Sequence, residues 1–254
     1  MGFRVVQFVW SGVTHIASLG LQLLWHFLHL IVNMWYSMFS IICMIESYLI
    51  SAGALKSYKS LYLGKIRHLA IVVDSEDACQ TSKIVELLQW LDIVGIRNVC
   101  LYDSDGVMKK SKGAILQKLN SLKLSEEADV NDTLHDQDHM TIEFASYVDG
   151  KEAVTKAANL IFVEYLKQQN SGGHCDGHIF TESHMTEALH AIGCKGPEPD
   201  LLLVYGPVRC HLGFPAWRIR YTEIVHMGPL NAMRYGSLVK AIYMFMMVHQ
   251  NYGT

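Results

Sequence analysis

A strand–loop–strand segment at residues 200–223, DLLLVYGPVRCHLGFPAWRIRYTE, constrains the fold more than any other part of the chain. The run 201–205 is wholly apolar and ends at Gly206, which is typical of a strand covered by helices on both faces. A loop rich in Gly and Pro follows, and residues 218–225 are predicted to form the next strand. Strands that are covered on both faces belong to parallel sheets, so the segment predicts an α/β domain.

The preceding part of the chain alternates strand and helix. Residues 67–74 and 98–102 read as buried strands. The helix between them has Thr81 or Ser82 as its N-cap, Gly95 at its end, and apolar residues at helical spacing at Ile84, Leu87, Leu88, Leu91 and Val94. Because strand–helix–strand units imply parallel strands, we predict a mostly parallel central sheet flanked by helices. The other predicted elements are helices near 111–122, 154–165, 181–192 and 230–249, and a strand at 141–148.

Residues 5–45 contain no Asp, Glu, Lys or Arg. This uncharged run exceeds the ~20 residues that one transmembrane helix requires. The best single span is 19–42, and a second, poorer span at 5–17 would make a hairpin. A cleaved signal peptide fits less well, because its apolar region is only ~7–15 residues long. The sequence therefore predicts an N-terminal anchor of one or two transmembrane helices at residues 1–50.

Basic residues follow the uncharged run more often than they precede it, at Lys56, Lys59, Lys65 and Arg67 against Arg4. The excess of positive charge marks the cytosolic side of a membrane protein. We therefore expect a linker at residues 51–64 and a cytosolic domain at residues 65–254.

Composition excludes several classes of function. A net charge of −3 provides no basic field for binding nucleic acid.

The six cysteines are widely spaced without a C-x-x-C motif, which indicates reduced, structural thiols. The acidic segment 125–140 lacks periodicity and is predicted to be an exposed loop. No standard zinc spacing is matched by His174, Cys175, His178 and His184.

The segment 200–223 also carries a family resemblance. Asp200, Leu201, Leu202, Phe214 and Trp217 fall on the pattern of the last sequence region of the cis-prenyltransferases. That family adds isopentenyl diphosphate units to an allylic diphosphate. The resemblance covers roughly residues 61–254 and implies a cis-prenyltransferase-like fold.

Three arginines of the catalytic pattern are replaced here by Val204, Cys210 and Cys79. Arginine binds phosphate through two parallel hydrogen bonds, and neither Val nor Cys can substitute for it. The letters YGPV, then LGF, then W-x-I-R-x-T-E-I resemble instead the Nogo-B receptor type of subunit, the non-catalytic partner in eukaryotic dehydrodolichyl diphosphate synthase. The resemblance implies a chain that is inactive alone, whose catalytic partner holds Mg²⁺, isopentenyl diphosphate and farnesyl diphosphate.

The first buried strand matches the catalytic pattern at His68, Ala70 and Asp74, where the family's Asp holds magnesium. The rest of that motif is absent, and Glu76 and Asp77 would add further repulsion toward a diphosphate. Asp74 therefore remains only a weak metal candidate.

Glu223 falls where the family has a metal-supporting Glu, and it is the other weak metal candidate. An alternative is a self-sufficient prenyltransferase that uses Asp74 and Glu223 as metal ligands. It would need Arg209 and His211, each one residue out of register, as replacement cations.

The resemblance also implies two surfaces that meet the partner. The family associates near its last region, so the interface is predicted at Trp217, Arg218, Arg220, Tyr221 and Glu223. In the Nogo-B receptor type the chain's tail touches the diphosphate of the incoming substrate in the partner, which implies a role for Asn251, Tyr252 and Gly253. Asn251 replaces an Arg of that tail, and a frayed terminus is the alternative.

The leading hypothesis is thus an accessory, membrane-anchored subunit of a heteromeric cis-prenyltransferase at the endoplasmic reticulum. The complex would make long-chain polyprenyl diphosphate for dolichol and protein glycosylation. A non-enzymatic membrane receptor or adaptor is a third hypothesis, which the uncharged N-terminal run and the acidic loop also fit.

Overall fold

The computed structural model describes residues 2–55, 66–127, 140–170 and 180–247 of the chain. It divides into two compact units, Met1–Ala54 and Leu55–Thr254. The first consists of one continuous helix, α1 (Gly2–Ser51), in which residues His15–Ser51 are long and apolar enough to cross a membrane. The two spans considered from sequence both lie in this helix, without the turn that a hairpin would need.

The second unit is built on a five-stranded sheet. Its strands are β1 (Leu69–Val73), β2 (Asn98–Asp103), β3 (Thr141–Ser146), β4 (Leu201–Tyr205) and β5 (Glu223–Gly228). They lie in the order β3-β2-β1-β4-β5, and every neighbouring pair is parallel. The predicted parallel α/β fold is confirmed. The central strands are buried on both faces because helices pack on either side of the sheet.

The helices of this unit are α2 (Thr81–Val94), α3 (Val107–Lys110), α4 (Lys112–Glu127), α5 (Lys151–Asn170), α6 (Glu182–Ala191) and α7 (Tyr235–Met247). Helix α2 buries its predicted apolar stripe, and it ends at Gly95, whose φ of 96° lies in the left-handed region that Gly tolerates. The predicted N-cap is wrong: Gln80 occupies that position, and Thr81 is the first helical residue.

One face of the sheet carries a core formed by Ala70, Val72, Cys100, Tyr102, Ala145, Leu202, Val204 and Phe214. Tyr102 and Phe214 meet edge to face, with ring centroids 5.3 Å apart. A satellite core between α5 and α6 is formed by Ala153, Ala157, Ala188 and Leu189, and Trp217 packs against it.

The strand predicted at 218–225 is wrong in its boundaries. Ala216–Arg218 forms a 3₁₀ turn, and the strand begins only at Glu223. Trp217 and Ile219 pack on two different cores as the chain turns.

Candidate functional site

The strand order reverses between β1 and β4, and the fold leads us to expect a ligand in the crevice beyond these two strands. In open parallel sheets, ligands bind beyond the carboxyl ends of the strands at such a point. Asp74 follows β1 here and Gly206 follows β4. The two turns are joined, since the Asp74 amide donates a 2.9 Å hydrogen bond to the carbonyl oxygen of Tyr205.

The acidic turn after β1 is tied to the protein rather than open to a ligand. Asp77 accepts a hydrogen bond from the Gln80 side chain at 2.8 Å and another from the Leu230 amide at 3.3 Å. The Cys79 thiol is exposed and donates to the carbonyl oxygen of Glu76 at 3.1 Å. One carboxylate of the turn thus fastens the approach to α7, and the thiol offers no positive charge.

The loop after β4 brings an apolar side chain to the crevice. A Cβ on Gly206 would lie 3.1 Å from Leu212 Cδ1 and 3.5 Å from the Cβ of Asp74. Leu212 has a φ of 46°, a left-handed conformation that costs a non-glycine residue about 1–2 kcal/mol. Its side chain is partly buried against the core below, which offsets that cost. Leu212 thus packs where the crevice opens.

The positions that carry arginine in the catalytic pattern are structurally unlike one another. Val204 is fully buried in β4, whereas Cys210 and Cys79 are exposed. Arg209, considered from sequence as a replacement cation, is also exposed. His211 is half-buried, and its Nδ1 atom has no hydrogen-bond partner among the described residues. This set of side chains does not form a phosphate clamp.

The structure does not bring the two weak metal candidates together. Asp74 lies beyond Val73, which pairs with Tyr205 at the carboxyl end of β4, whereas Glu223 pairs with Leu201 at its start. At ~3.3 Å per residue, four residues of strand separate the two levels by ~13 Å. Magnesium ligands lie ~2 Å from the ion, so one chain cannot hold a metal between these carboxylates. The described residues contain no group of three or more His, Cys, Asp or Glu side chains suited to a metal.

Three of the predicted interface residues are engaged within the chain. Trp217 packs on the satellite core and donates from Nε1 to the Thr186 hydroxyl at 3.3 Å. Arg220 forms ion pairs with Glu182 and Glu198. Arg218 forms an ion pair with Glu143. The sequence assigned these charges to a partner because it could not show that their mates lie elsewhere in the same chain.

The other two predicted interface residues, Tyr221 and Glu223, lie beside or on the edge strand of the sheet. Tyr221 is exposed by 63%, and Glu223 begins β5 at the edge of the sheet. Ile224 follows on the same strand and is 46% exposed. Apolar exposure beside an edge strand is typical of a surface that another chain covers. Tyr221 is therefore the predicted interface residue that the structure leaves most accessible.

A feature that sequence analysis missed is a partly buried ion pair between Arg218 and Glu143 of β3. The Arg218 guanidinium donates two parallel hydrogen bonds to the Glu143 carboxylate, at 2.9 and 2.8 Å, and Nε donates to the Pro197 carbonyl oxygen at 3.0 Å. The Arg218 side chain is only 13% exposed. A Cβ on Gly196 would lie 2.5 Å from both partners, so the backbone covers the pair at a distance that only glycine permits.

This ion pair lines a cavity of about 540 Å³ between the sheet and residues 193–199. The thiol of Cys100 also lines it, and burial raises the pKa of that thiol to about 12 although the Arg218 charge acts in the opposite direction. Cys100 therefore stays a protonated, structural thiol at neutral pH. The ion pair was invisible in the sequence because 75 residues separate its two members.

The predicted tail residues Asn251, Tyr252 and Gly253 lie outside the described residues, as do His174, Cys175 and His178. His184 lies in α6, where its Nδ1 accepts a hydrogen bond from the Thr181 amide at 3.2 Å. It thus takes part in a capping box at the start of that helix.

Comparison with known proteins points to one group of relatives. No protein-family model matches the chain. The human dehydrodolichyl diphosphate synthase complex subunit NUS1 is 28% identical over 200 residues, which cover 73% of this chain and 66% of the human protein. The Saccharomyces cerevisiae subunit of the same name is 27% identical over 184 residues, or 62% of this chain and 49% of the yeast one. The chain thus matches about half to two thirds of the length of these relatives.

A solved structure supports the fold independently. Lavandulyl diphosphate synthase from Lavandula x intermedia aligns with a TM-score of 0.51 and 14% identity, covering 75% of this chain and 99% of that one. The resemblance inferred from residues 200–223 is confirmed. The chain is similar in sequence to the NUS1-type subunits of dehydrodolichyl diphosphate synthase complexes, and its fold is that of the cis-prenyltransferases.

Proposed function

We propose that the chain is an accessory, non-catalytic subunit of a heteromeric cis-prenyltransferase that makes dehydrodolichyl diphosphate for dolichol synthesis and protein glycosylation. The observation that carries the proposal is the crevice between β1 and β4. The positions of the catalytic arginines hold Val204, Cys210 and Cys79, and Leu212 packs near Gly206, the residue that follows β4. Val and Cys at these positions cannot supply the phosphate-binding cations that diphosphate chemistry requires. The names of the relatives supply the complex to which such a subunit belongs.

The division of labour follows from this crevice. The catalytic partner holds Mg²⁺, isopentenyl diphosphate and farnesyl diphosphate, since this chain does not bring its own candidate carboxylates together. This chain contributes an interface and, through helix α1, a membrane anchor. The basic residues after the uncharged run support a cytosolic second unit. The endoplasmic reticulum membrane is the location that we propose for the anchor.

Asp74 distinguishes this proposal from a self-sufficient enzyme. We expect Asp74→Asn to leave kcat and KM of the co-purified complex within about twofold of the parent, because the change removes a charge but preserves the side chain's shape. The assay is polyprenyl elongation by the complex at saturating magnesium. The matched control is substitution of the metal-binding Asp of the catalytic partner, which should abolish turnover. A loss of activity of more than tenfold with Asp74→Asn would show that this crevice takes part in catalysis.

The interface is tested at Tyr221. We expect Tyr221→Ala to weaken association with the catalytic partner by about 1–2 kcal/mol, which is typical of an aromatic residue near the centre of an interface. Its side chain is exposed, so the isolated chain should keep its thermal unfolding temperature. The measurement is the dissociation constant of the detergent-purified subunits. Ile93→Ala is the control, since Ile93 is 73% exposed and lies on α2, away from β5. Equal dissociation constants for Tyr221→Ala and the parent would remove Tyr221 from the interface.

A further inference from the structure

Helix α1 carries a polar stripe that its role as an anchor does not explain. Residues 15–42 contain eight Ser, Asn, Gln and His side chains, and all of them lie on one face of the helix. They are His15, Ser18, Gln22, His26, His29, Asn33, Ser37 and Ser40. All eight lie in the helix and are exposed. At 3.6 residues per turn they fall within an arc of about 100° around the helix axis, and the remaining surface is apolar. We call this set the polar stripe.

The polar stripe repeats every eleven residues. Ser18, His29 and Ser40 are spaced in this way, as are Gln22 and Asn33. Eleven residues make three turns at 3.67 residues per turn, close to the pitch of a straight α-helix, so the stripe drifts by only ~20° per repeat. A period of this kind keeps one face of a helix against one neighbour over several turns, with a right-handed twist.

The polar stripe is unlike that of a helix lying on a membrane surface. Such helices carry Lys and Arg on their polar face, whereas residues 5–45 contain no charged side chain. The stretch His15–Ser51 instead has the length and hydropathy of a membrane span. Within a bilayer, polar side chains face other protein rather than lipid, because lipid tails cannot hydrogen-bond to them.

We propose that the polar stripe is a self-association surface, on which α1 pairs in parallel with α1 of a second copy of this chain. Copies inserted by the same charge bias share one orientation, so residue i of one helix faces residue i of the other. Asn, Gln, Ser and neutral His each both donate and accept hydrogen bonds, and identical groups can therefore satisfy one another. The stripe carries no net charge that would make two copies repel.

The inference rests on the membrane placement proposed above, and the experiment separates the two. The full-length chain, with Cys43→Ala to remove the native thiol of α1, is expressed in membranes and oxidised with copper phenanthroline. Ser18→Cys and Ser40→Cys place a thiol on the polar stripe. Gly20→Cys and Met38→Cys place one on the opposite face at nearly the same depth, and no atom lies within 4 Å of a Cβ added at Gly20. Carbonate extraction of the same membranes reports insertion.

We expect disulfide-linked dimers of the chain with Ser18→Cys and Ser40→Cys and none above the Cys43→Ala parent with Gly20→Cys and Met38→Cys. Equal cross-linking on both faces, or cross-linking of the stripe to another protein in place of a second copy, would overturn the proposal. If the chain is inserted but both faces of α1 cross-link equally, the self-pairing proposal fails and the membrane anchor stands. If the chain is extracted by carbonate, the membrane anchor fails and the self-pairing proposal fails with it.

A second variant tests the hydrogen bonds themselves. Gln22→Leu, His29→Leu and Asn33→Leu together make the span more apolar, so insertion should be retained. Each interhelical hydrogen bond in a membrane changes association by about threefold, so the triple variant should dissociate at ~20-fold higher protein-to-lipid ratio. Energy transfer between labelled full-length chains in phosphatidylcholine vesicles measures this ratio. The control is Phe27→Leu, Ile31→Leu and Met38→Leu on the opposite face, which should leave it unchanged. Equal dissociation of the two triple variants would contradict the proposal.

Discussion

Arg218→Met should lower the free energy of unfolding by about 3 kcal/mol, because it breaks the ion pair with Glu143. The substitution keeps most of the side-chain volume but leaves Glu143 without the guanidinium that binds both of its oxygens. Removing one member of a buried ion pair costs about 3–5 kcal/mol. The lower end of this range applies here because the Glu143 side chain is 38% exposed, so water can partly replace the two hydrogen bonds that Arg218 donated.

Arg220→Met is the matched control for this change. Arg220 also pairs with two carboxylates, but its side chain is 34% exposed and Glu182 is 61% exposed. Exposed pairs contribute about 0–1 kcal/mol. Thermal unfolding of the full chain in detergent, followed by near-ultraviolet circular dichroism, should therefore show a fall of roughly 6–12 °C for Arg218→Met and under about 4 °C for Arg220→Met. Equal shifts would mean that the pair with Glu143 is no more important than a surface contact.

Deleting residues 251–254 should reduce kcat/KM of the co-purified complex by about 10²–10³-fold while assembly is unchanged. The family resemblance implies that this tail touches the incoming diphosphate in the partner's site. A backbone donor directed at developing phosphate charge contributes ~2.7–4 kcal/mol, judged by oxyanion-type donors. The tail carries Asn251 in place of the family's Arg, so the amides of Tyr252 and Gly253 become the main donors.

Single substitutions refine the test of the tail. Gly253→Ala should reduce activity more than Thr254→Ala, because glycine lets the backbone approach an anion closely. Asn251→Arg should lower KM for isopentenyl diphosphate, since a charge-assisted hydrogen bond is stronger than a neutral one. If the deletion leaves kcat and KM unchanged, the tail is a frayed end and the chain provides only an interface and an anchor.

The sequence predicted the central sheet well because burial there leaves a local signal. The runs in β1 and β4 are apolar at consecutive positions, and helix α2 places its buried residues at regular helical spacing. These patterns depend only on neighbouring residues and on the two periods of regular structure. The last strand was misplaced because the chain at residues 216–218 forms a 3₁₀ turn, where strand periodicity carries no information.

The site was predicted less well, for a different physical reason. Missing arginines could be read directly from Val204, Cys210 and Cys79. Arg218 and Arg220 were assigned to a partner, because charged side chains are usually at a surface and their carboxylate mates lie 22 or more residues away along the chain. Contacts of that range depend on the tertiary fold. The packing of Leu212 onto Gly206 was hidden for the same reason, since it depends on a left-handed backbone conformation in the loop.

The central claim, that this chain supports catalysis without performing it, is tested most directly by comparing elongation activity with and without a catalytic subunit. The full chain is purified alone in detergent and supplied with farnesyl diphosphate, labelled isopentenyl diphosphate and Mg²⁺. The same amount is then assayed after co-purification with a catalytic cis-prenyltransferase subunit. We expect no product above background from the chain alone, and long-chain polyprenyl diphosphate from the complex at a rate above that of the catalytic subunit alone. Sustained turnover by the isolated chain would contradict the account.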